Sequence, residues 1–184
     1  MNRLDPRNYT ASEVLKDGTA VTIRAIRRED KGRLLEAFKG LDRESVYRRF
    51  FSPKKGLSDS ELDQLTDVDF SQVVALVVAT QGADGEILIG GGRYAAEGED
   101  RAEIAFVTDG NYRGRGIASL ILKHLVRIAR AADVQHFDAE VLAENTPMLA
   151  VFRRSGLPVE LRRDGSTLHV TLSLGSRKEQ RHGT

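Results

Sequence analysis

Apolar and polar positions in this chain recur at two spacings, and the places where the spacing changes mark its elements. Over residues 20–26, Val21, Ile23 and Ala25 alternate with Thr22 and Arg24, the two-residue period of a strand with one face inward. Residues 28–38 put Leu34, Leu35 and Phe38 on one side of a short helix, and residues 42–51 do the same with Val46, Phe50 and Tyr47. Ser58 followed by Glu61 is a capping box that opens a helix over 58–68, with Leu62 and Leu65 inward. Residues 73–80 form a β-branched run closed by Gln81-Gly82-Ala83-Asp84-Gly85, which predicts a strand and a hairpin turn. Residues 86–94 and 101–108 complete a meander, the second alternating Ile104 and Phe106 with Glu103 and Ala105. Gly90-Gly91-Gly92 inside a strand predicts a bulge, or a close approach by another backbone or a ligand. A long helix over 117–132 carries Ile117, Leu120, Ile121, His124, Leu125 and Ile128 as its apolar stripe. A strand at 136–142, a helix at 145–155 ended by Gly156, and a hairpin of 157–163 with 166–174 across Asp164-Gly165 finish the pattern.

This order predicts an α/β domain with helices covering a central sheet, spanning residues 18–174. Residues 1–17 are polar and predict a flexible N-terminal arm ending in the turn Lys16-Asp17-Gly18-Thr19. Residues 175–184 predict a polar, frayed tail.

Composition narrows the function classes. At 184 residues the chain can bury a full core. Its 28 Lys+Arg against 27 Asp+Glu leave a net charge of +1, so nothing global draws it to nucleic acid or a membrane, and any electrostatic recognition is local. The absence of cysteine excludes disulfides, thiolate metal sites and a cysteine nucleophile. The His residues show no metal-ligand spacing. No apolar run approaches the roughly 18 residues of a membrane helix, and the N-terminus is not a secretory signal, so a cytoplasmic location is expected.

The segment with the most chemistry is 109–118, where a strand gives way to a glycine loop and then to an amphipathic helix. A helix start offers unpaired N–H groups and a partial positive charge, which together bind phosphate. Gly114 and Gly116 allow close backbone approach, and Arg113 and Arg115 can add charge-assisted contacts. The third glycine of a dinucleotide fingerprint and the Gly-Lys-Ser/Thr of a triphosphate loop are both missing.

Arg113-Gly114-Arg115-Gly116-Ile117-Ala118 instead resembles the acyl-CoA signature Gln/Arg-x-x-Gly-x-Gly/Ala of the GNAT superfamily of N-acyltransferases, and the element order resembles that family from residue 20 to 174. The segments 24–30, 47–53, 102–106 and 140–145 further resemble the acyltransferase domain of bacterial Pat-type protein lysine acetyltransferases. The resemblance implies a mixed, mostly antiparallel twisted sheet of about seven strands flanked by helices. It implies acetyl-CoA as co-substrate without a metal, a primary amine as acceptor (a protein lysine first), and a monomer or homodimer. Cofactor contacts would come from Phe106, Val107 and Thr108 of the central strand, from Arg113–Ala118, from Asn145 and from Phe152.

In such enzymes the amine attacks the thioester directly. Phe106 or Val107 would offer the N–H that meets the developing oxyanion, and Glu103 is the candidate base. Phe152 stands where many members place a tyrosine acid, leaving Tyr94 and Tyr112 as other possible donors. His124 reads as a packed or capping residue, and Asp59, Glu61, Asp63, Asp67 and Asp69 as a solvated acidic face that could attract a lysine. Arg48-Arg49 and Arg153-Arg154 read as surface charges or partners of adenosine phosphates. Two alternatives stay open: a small-molecule amine (polyamine, amino acid or aminoglycoside) as acceptor, and an acyl-CoA-binding sensor without turnover.

Overall fold

A computed structural model describes residues 4–41 and 56–175; the helix expected at 42–51 lies outside them. The strands are β1 (Thr10–Val14), β2 (Ala20–Ala25), β3 (Val73–Gly82), β4 (Gly85–Ala96), β5 (Arg101–Thr108), β6 (His136–Leu142), β7 (Val159–Asp164) and β8 (Thr167–Ser173). The helices are α1 (Lys31–Lys39), α2 (Asp59–Thr66), α3 (Ile117–Ala131) and α4 (Thr146–Arg153). The strands form one mixed sheet of eight in the order β1-β2-β3-β4-β5-β6-β8-β7. Every neighbouring pair is antiparallel except β5 with β6, which α3 connects.

The additional strand corrects the reading of residues 1–17 as a loose arm. β1 pairs with β2 from Thr10↔Arg24 to Val14↔Ala20, and Tyr9 and Leu15 are buried at its two ends. The polar pattern concealed this because β1 is an edge strand whose residues are all exposed or half-buried.

Both faces of the sheet centre are covered. α3 and α4 pack on one face against Val74, Leu76, Val78, Ile104 and Phe137. α1 packs on the other, where Leu34 and Ala37 meet Ala75, Val77 and Leu88. β3 is therefore buried along most of its length instead of alternating. The same cover corrects the outward reading of Arg24. It is 3% exposed, and its guanidinium bonds Asp30 at 2.7 and 2.9 Å and Glu86 at 2.5 Å.

Glycine brings α3 close to the sheet. A Cβ on Gly90 would stand 2.8 Å from Ile117 Cγ2; one on Gly92 would run into Ile121 Cγ2 and stand 2.9 Å from Phe106 Cδ1. The bulge expected at 90–92 is present at its edge, where the register shifts between Val78↔Gly90 and Ala79↔Leu88, and the close approach at Gly90 and Gly92 is made by α3 side chains. Ile117, Ile121 and Leu125, one turn apart, are each at most 2% exposed. Packing of Ile117 onto Gly90 fixes where α3 begins.

Candidate functional site: a gap between β5 and β6 at the start of α3

The parallel pairing of β5 with β6 runs only from Arg101↔His136 to Glu103↔Asp138. Beyond that point each strand pairs on its outer side alone, β5 with β4 and β6 with β8. The ladders fix which backbone groups line the opening. Asp109 N–H donates to Ile89 at 2.9 Å and Glu97 N–H to Arg101 at 2.8 Å, so odd-numbered residues of β5 bond β4. Ile104, Phe106 and Thr108 therefore turn their N–H and C=O groups toward β6. Leu174 N–H donates to Gln135 and Ala143 N–H to Ser166, both at 2.8 Å, so odd-numbered residues of β6 bond β8 and Glu140 and Leu142 face the gap. Of the two N–H candidates, Phe106 points into the gap, while Val107 belongs to the ladder with Gly91.

α3 begins beside the gap. Its N-cap is Gly116 at φ 90°, with no side-chain cap, so the first-turn N–H groups carry the positive end of the helix dipole. Gly114 has φ 73° and open space where a Cβ would be. Positive φ at both positions is a conformation that glycine adopts without strain. The Arg115 guanidinium bonds Asp17 at 2.8 Å and the Asn111 carbonyl at 3.0 Å and lies 4.7 Å from the Tyr112 ring centre. Lys16 N–H donates to the Arg115 carbonyl at 3.2 Å, and its side-chain carbons run along Gly116. Arg113 is exposed; Ala118, Thr108 and Val107 are half-buried; Ile117 is buried beneath the loop. A backbone cradle at a helix start, ringed by cations, fits the diphosphate of a CoA thioester.

Glu103 is exposed and is the last β5 residue paired with β6, so it stands at the apex of the gap on the face opposite α3. On that face Ala75, Val77, Gly91, Ala105 and Val107 floor an apolar cleft of about 120 Å³ beneath Leu34 and Phe38.

Other residues singled out in the sequence take these places. Asn145 is buried at the N-cap of α4, where its Oδ1 accepts Met148 N–H at 3.3 Å. Phe152 is 1% exposed, 6.1 Å from Phe106 between ring centres, and so backs the gap from within the core. Tyr94 is 2% exposed against Phe137, and burial pushes its hydroxyl up to about 12. Tyr112 stays at the loop, half-buried under Arg115. His124 is packed: Tyr9 Oη lies 2.5 Å from its Nδ1 and Glu13 Oε1 2.7 Å from its Nε2, tying β1 to α3.

The acidic stretch is partly neutralised, with Asp67 bonded to Arg28 and Asp63 to Lys31, while Asp69 accepts N–H bonds from Ser71, Gln72 and Val73. His169 carries no site signal in the sequence. It bonds Glu140 at 2.5 Å and Asp138 at 3.2 Å, and the Glu140 carboxylate raises its pKa. Arg153 and Arg154 are exposed at the end of α4, and Arg48-Arg49 lie outside the described residues. Among the described residues no three His, Asp or Glu gather as metal ligands, and no helix is long and apolar enough to cross a membrane.

Sequence and structure comparisons identify the family. The chain matches the Acetyltransferase (GNAT) family model over residues 43–157. It is 36% identical over 120 residues to an acetyltransferase of Pseudomonas aeruginosa, covering 64% of each chain. It is also 36% identical over 115 residues to the acetyltransferase Pat of Mycolicibacterium smegmatis, covering 61% of this chain and 34% of that protein. The chain thus spans less than two thirds of either relative. Among solved structures, the GNAT domain of S. lividans PAT superposes with a TM-score of 0.80 at 31% identity, over 89% of this chain and 96% of that one. A cAMP-binding acyltransferase from Mycobacterium smegmatis superposes with a TM-score of 0.64 at 26% identity, over 96% of this chain and 50% of that one. With its split parallel pair, its uncapped helix start and a family match over more than half its length, the chain belongs to the acetyltransferase (GNAT) family, whose members use acetyl-CoA.

Proposed function

We propose that this domain transfers an acetyl group from acetyl-CoA directly to a primary amine, with a protein lysine as the acceptor. The observation that carries the reading is the gap itself. One wall presents the Phe106 N–H, its apex carries Glu103, and the start of α3 lies at its mouth. When bound, acetyl-CoA supplies the thioester whose carbonyl the amine attacks.

The chain's own groups then have separable roles. Backbone groups of Phe106 and Glu140 are oriented to pair with an extended amide-bearing chain lying between the strands. The Phe106 N–H is held rigid by the β4–β5 ladder, so it meets developing negative charge without reorganising. Glu103 lies three residues from Phe106, about 10 Å along the strand. It therefore takes the ammonium proton through water rather than by direct contact. The apolar cleft on the same face suits the methylene stem of a lysine whose nitrogen reaches toward Glu103. Similarity to the Pat proteins supports the protein-lysine reading.

Incubation of the purified protein with acetyl-CoA and a panel of proteins and small amines tests this, with free thiol followed and acetylated lysines mapped by mass spectrometry. Thiol release only with small amines would replace the lysine reading. CoA binding without release on any acceptor would make the domain a sensor.

A further inference from the structure

We infer that Lys16, in the turn between β1 and β2, is a cofactor-binding residue that clamps the CoA diphosphate against the start of α3; this rests on the CoA reading above. Three observations carry it. First, the Lys16 side chain lies across the cradle: its Cε, Cδ and Cγ stand 3.3, 3.7 and 3.6 Å from where a Cβ on Gly116 would be. The ammonium is one bond beyond Cε, which is the side-chain carbon nearest Gly116.

Second, this placement is built into the fold. The turn is fastened to the loop by Lys16 N–H to the Arg115 carbonyl at 3.2 Å, and by Arg115 to Asp17 at 2.8 Å. The turn's own geometry is set by Gly18 at φ 89° and by Thr19 N–H bonding Asp17 at 3.0 Å. Third, the placement is electrostatically wrong for an empty site. A helix N-terminus is positive and favours anions, so a lysine parked there is repelled. Among the described residues no carboxylate pairs with the exposed Lys16 ammonium, since the neighbouring Asp17 is bridged to Arg115. A bound diphosphate reverses the sign, because helix start and ammonium then attract the same charge from two sides. Local rules broken in this way mark functional positions.

The turn therefore does what its sequence does not advertise. It delivers a cation roughly a hundred residues distant in sequence to the loop of the acyl-CoA signature, and it delivers it from an edge strand. Arg115, one of the two cations within the signature, acts mainly as the bolt that holds the turn in place.

Calorimetric titration of CoA and of dephospho-CoA (which lacks the 3′-phosphate) into the wild type, Lys16→Gln and Lys16→Arg tests the assignment, with the melting temperature of each unliganded protein. Lys16→Gln is expected to weaken CoA about tenfold, the loss of one charge-assisted contact at an exposed site. The ratio should be the same with dephospho-CoA, and Lys16→Arg should retain most of the affinity. The unliganded melting temperature should hold or rise, because a cation leaves the positive end of a helix. Equal CoA affinity in wild type and Lys16→Gln overturns the inference while leaving the CoA site standing. A ratio that vanishes with dephospho-CoA places Lys16 on the 3′-phosphate and overturns the diphosphate contact. A marked fall in unliganded melting temperature makes the role structural and overturns it. Failure of the wild type to bind CoA overturns both readings.

Discussion

Gly92→Ala is the smallest change that tests whether the sheet positions α3. Two effects oppose each other. Glycine within a strand loses more backbone entropy on folding than alanine, so the substitution alone should stabilise the protein by about 0.5–1 kcal/mol. Against this, the new methyl would run into Ile121 Cγ2 and stand 2.9 Å from Phe106 Cδ1, and both neighbours are buried side chains. Overpacking of this kind costs about 1–3 kcal/mol. Packing wins, leaving a net destabilisation of roughly 1–2 kcal/mol, or about 2–8 °C in melting temperature for a domain of this size. Denaturant unfolding and calorimetry measure it. Ile121→Ala is destabilising alone, but in combination with Gly92→Ala it should recover about 1 kcal/mol as positive coupling. Lifting α3 also moves the helix start that Gly90 and Ile117 fix, so CoA affinity should fall together with stability. A Gly92→Ala protein more stable than wild type, or double-mutant effects that simply add, would refute the packing argument.

Glu103→Gln should leave CoA affinity within about twofold and lower kcat by roughly 100-fold or more, most strongly below the acceptor's own pKa; an unchanged pH–rate profile would remove Glu103 as base. Gly116→Glu should abolish CoA binding. It forces a side chain onto a residue at φ 90°, sets a Cβ 3.3 Å from Lys16 and adds a negative charge at the phosphate cradle, and micromolar affinity surviving in a titration would contradict the loop assignment. Asp30→Asn should destabilise the protein by about 3 kcal/mol, because Arg24 would keep a buried charge with only Glu86 as acid partner. Burial alone would raise the Asp30 carboxyl, but the Arg24 guanidinium and the Arg27 N–H outweigh it and hold it below the ordinary range. Its contribution is therefore complete above the unfolded-state value near pH 4 and drains as pH falls below it, so the wild-type advantage over Asp30→Asn should shrink on acidification.

The glycine loop before α3 is legible because its signal is local. Glycines at 114 and 116 and an amphipathic repeat from Ile117 specify a helix start able to hold phosphate without reference to the rest of the chain. The central strands are legible too, since β3 is a continuous β-branched run closed by a turn and β5 alternates by two. Alternation misplaces Arg24 because it reports which face differs, not whether the second face is covered, and α1 covers it. β1 escapes the apolar pattern because an edge strand needs no apolar face to pair. Lys16 carried no signal, since its contact with Gly116 spans a sequence separation that no short pattern samples.

The sequence by itself determined most of the element types from residue 56 on, the glycine loop at the start of α3 and the family, since each rests on residues within a few positions of one another. Tertiary structure decided the rest. It split β5 from β6 after Glu103, turned Phe106 rather than Val107 toward the opening, and laid Lys16 across Gly116. These depend on strand register and on how closely α3 can approach Gly90 and Gly92, and both follow from packing between distant segments.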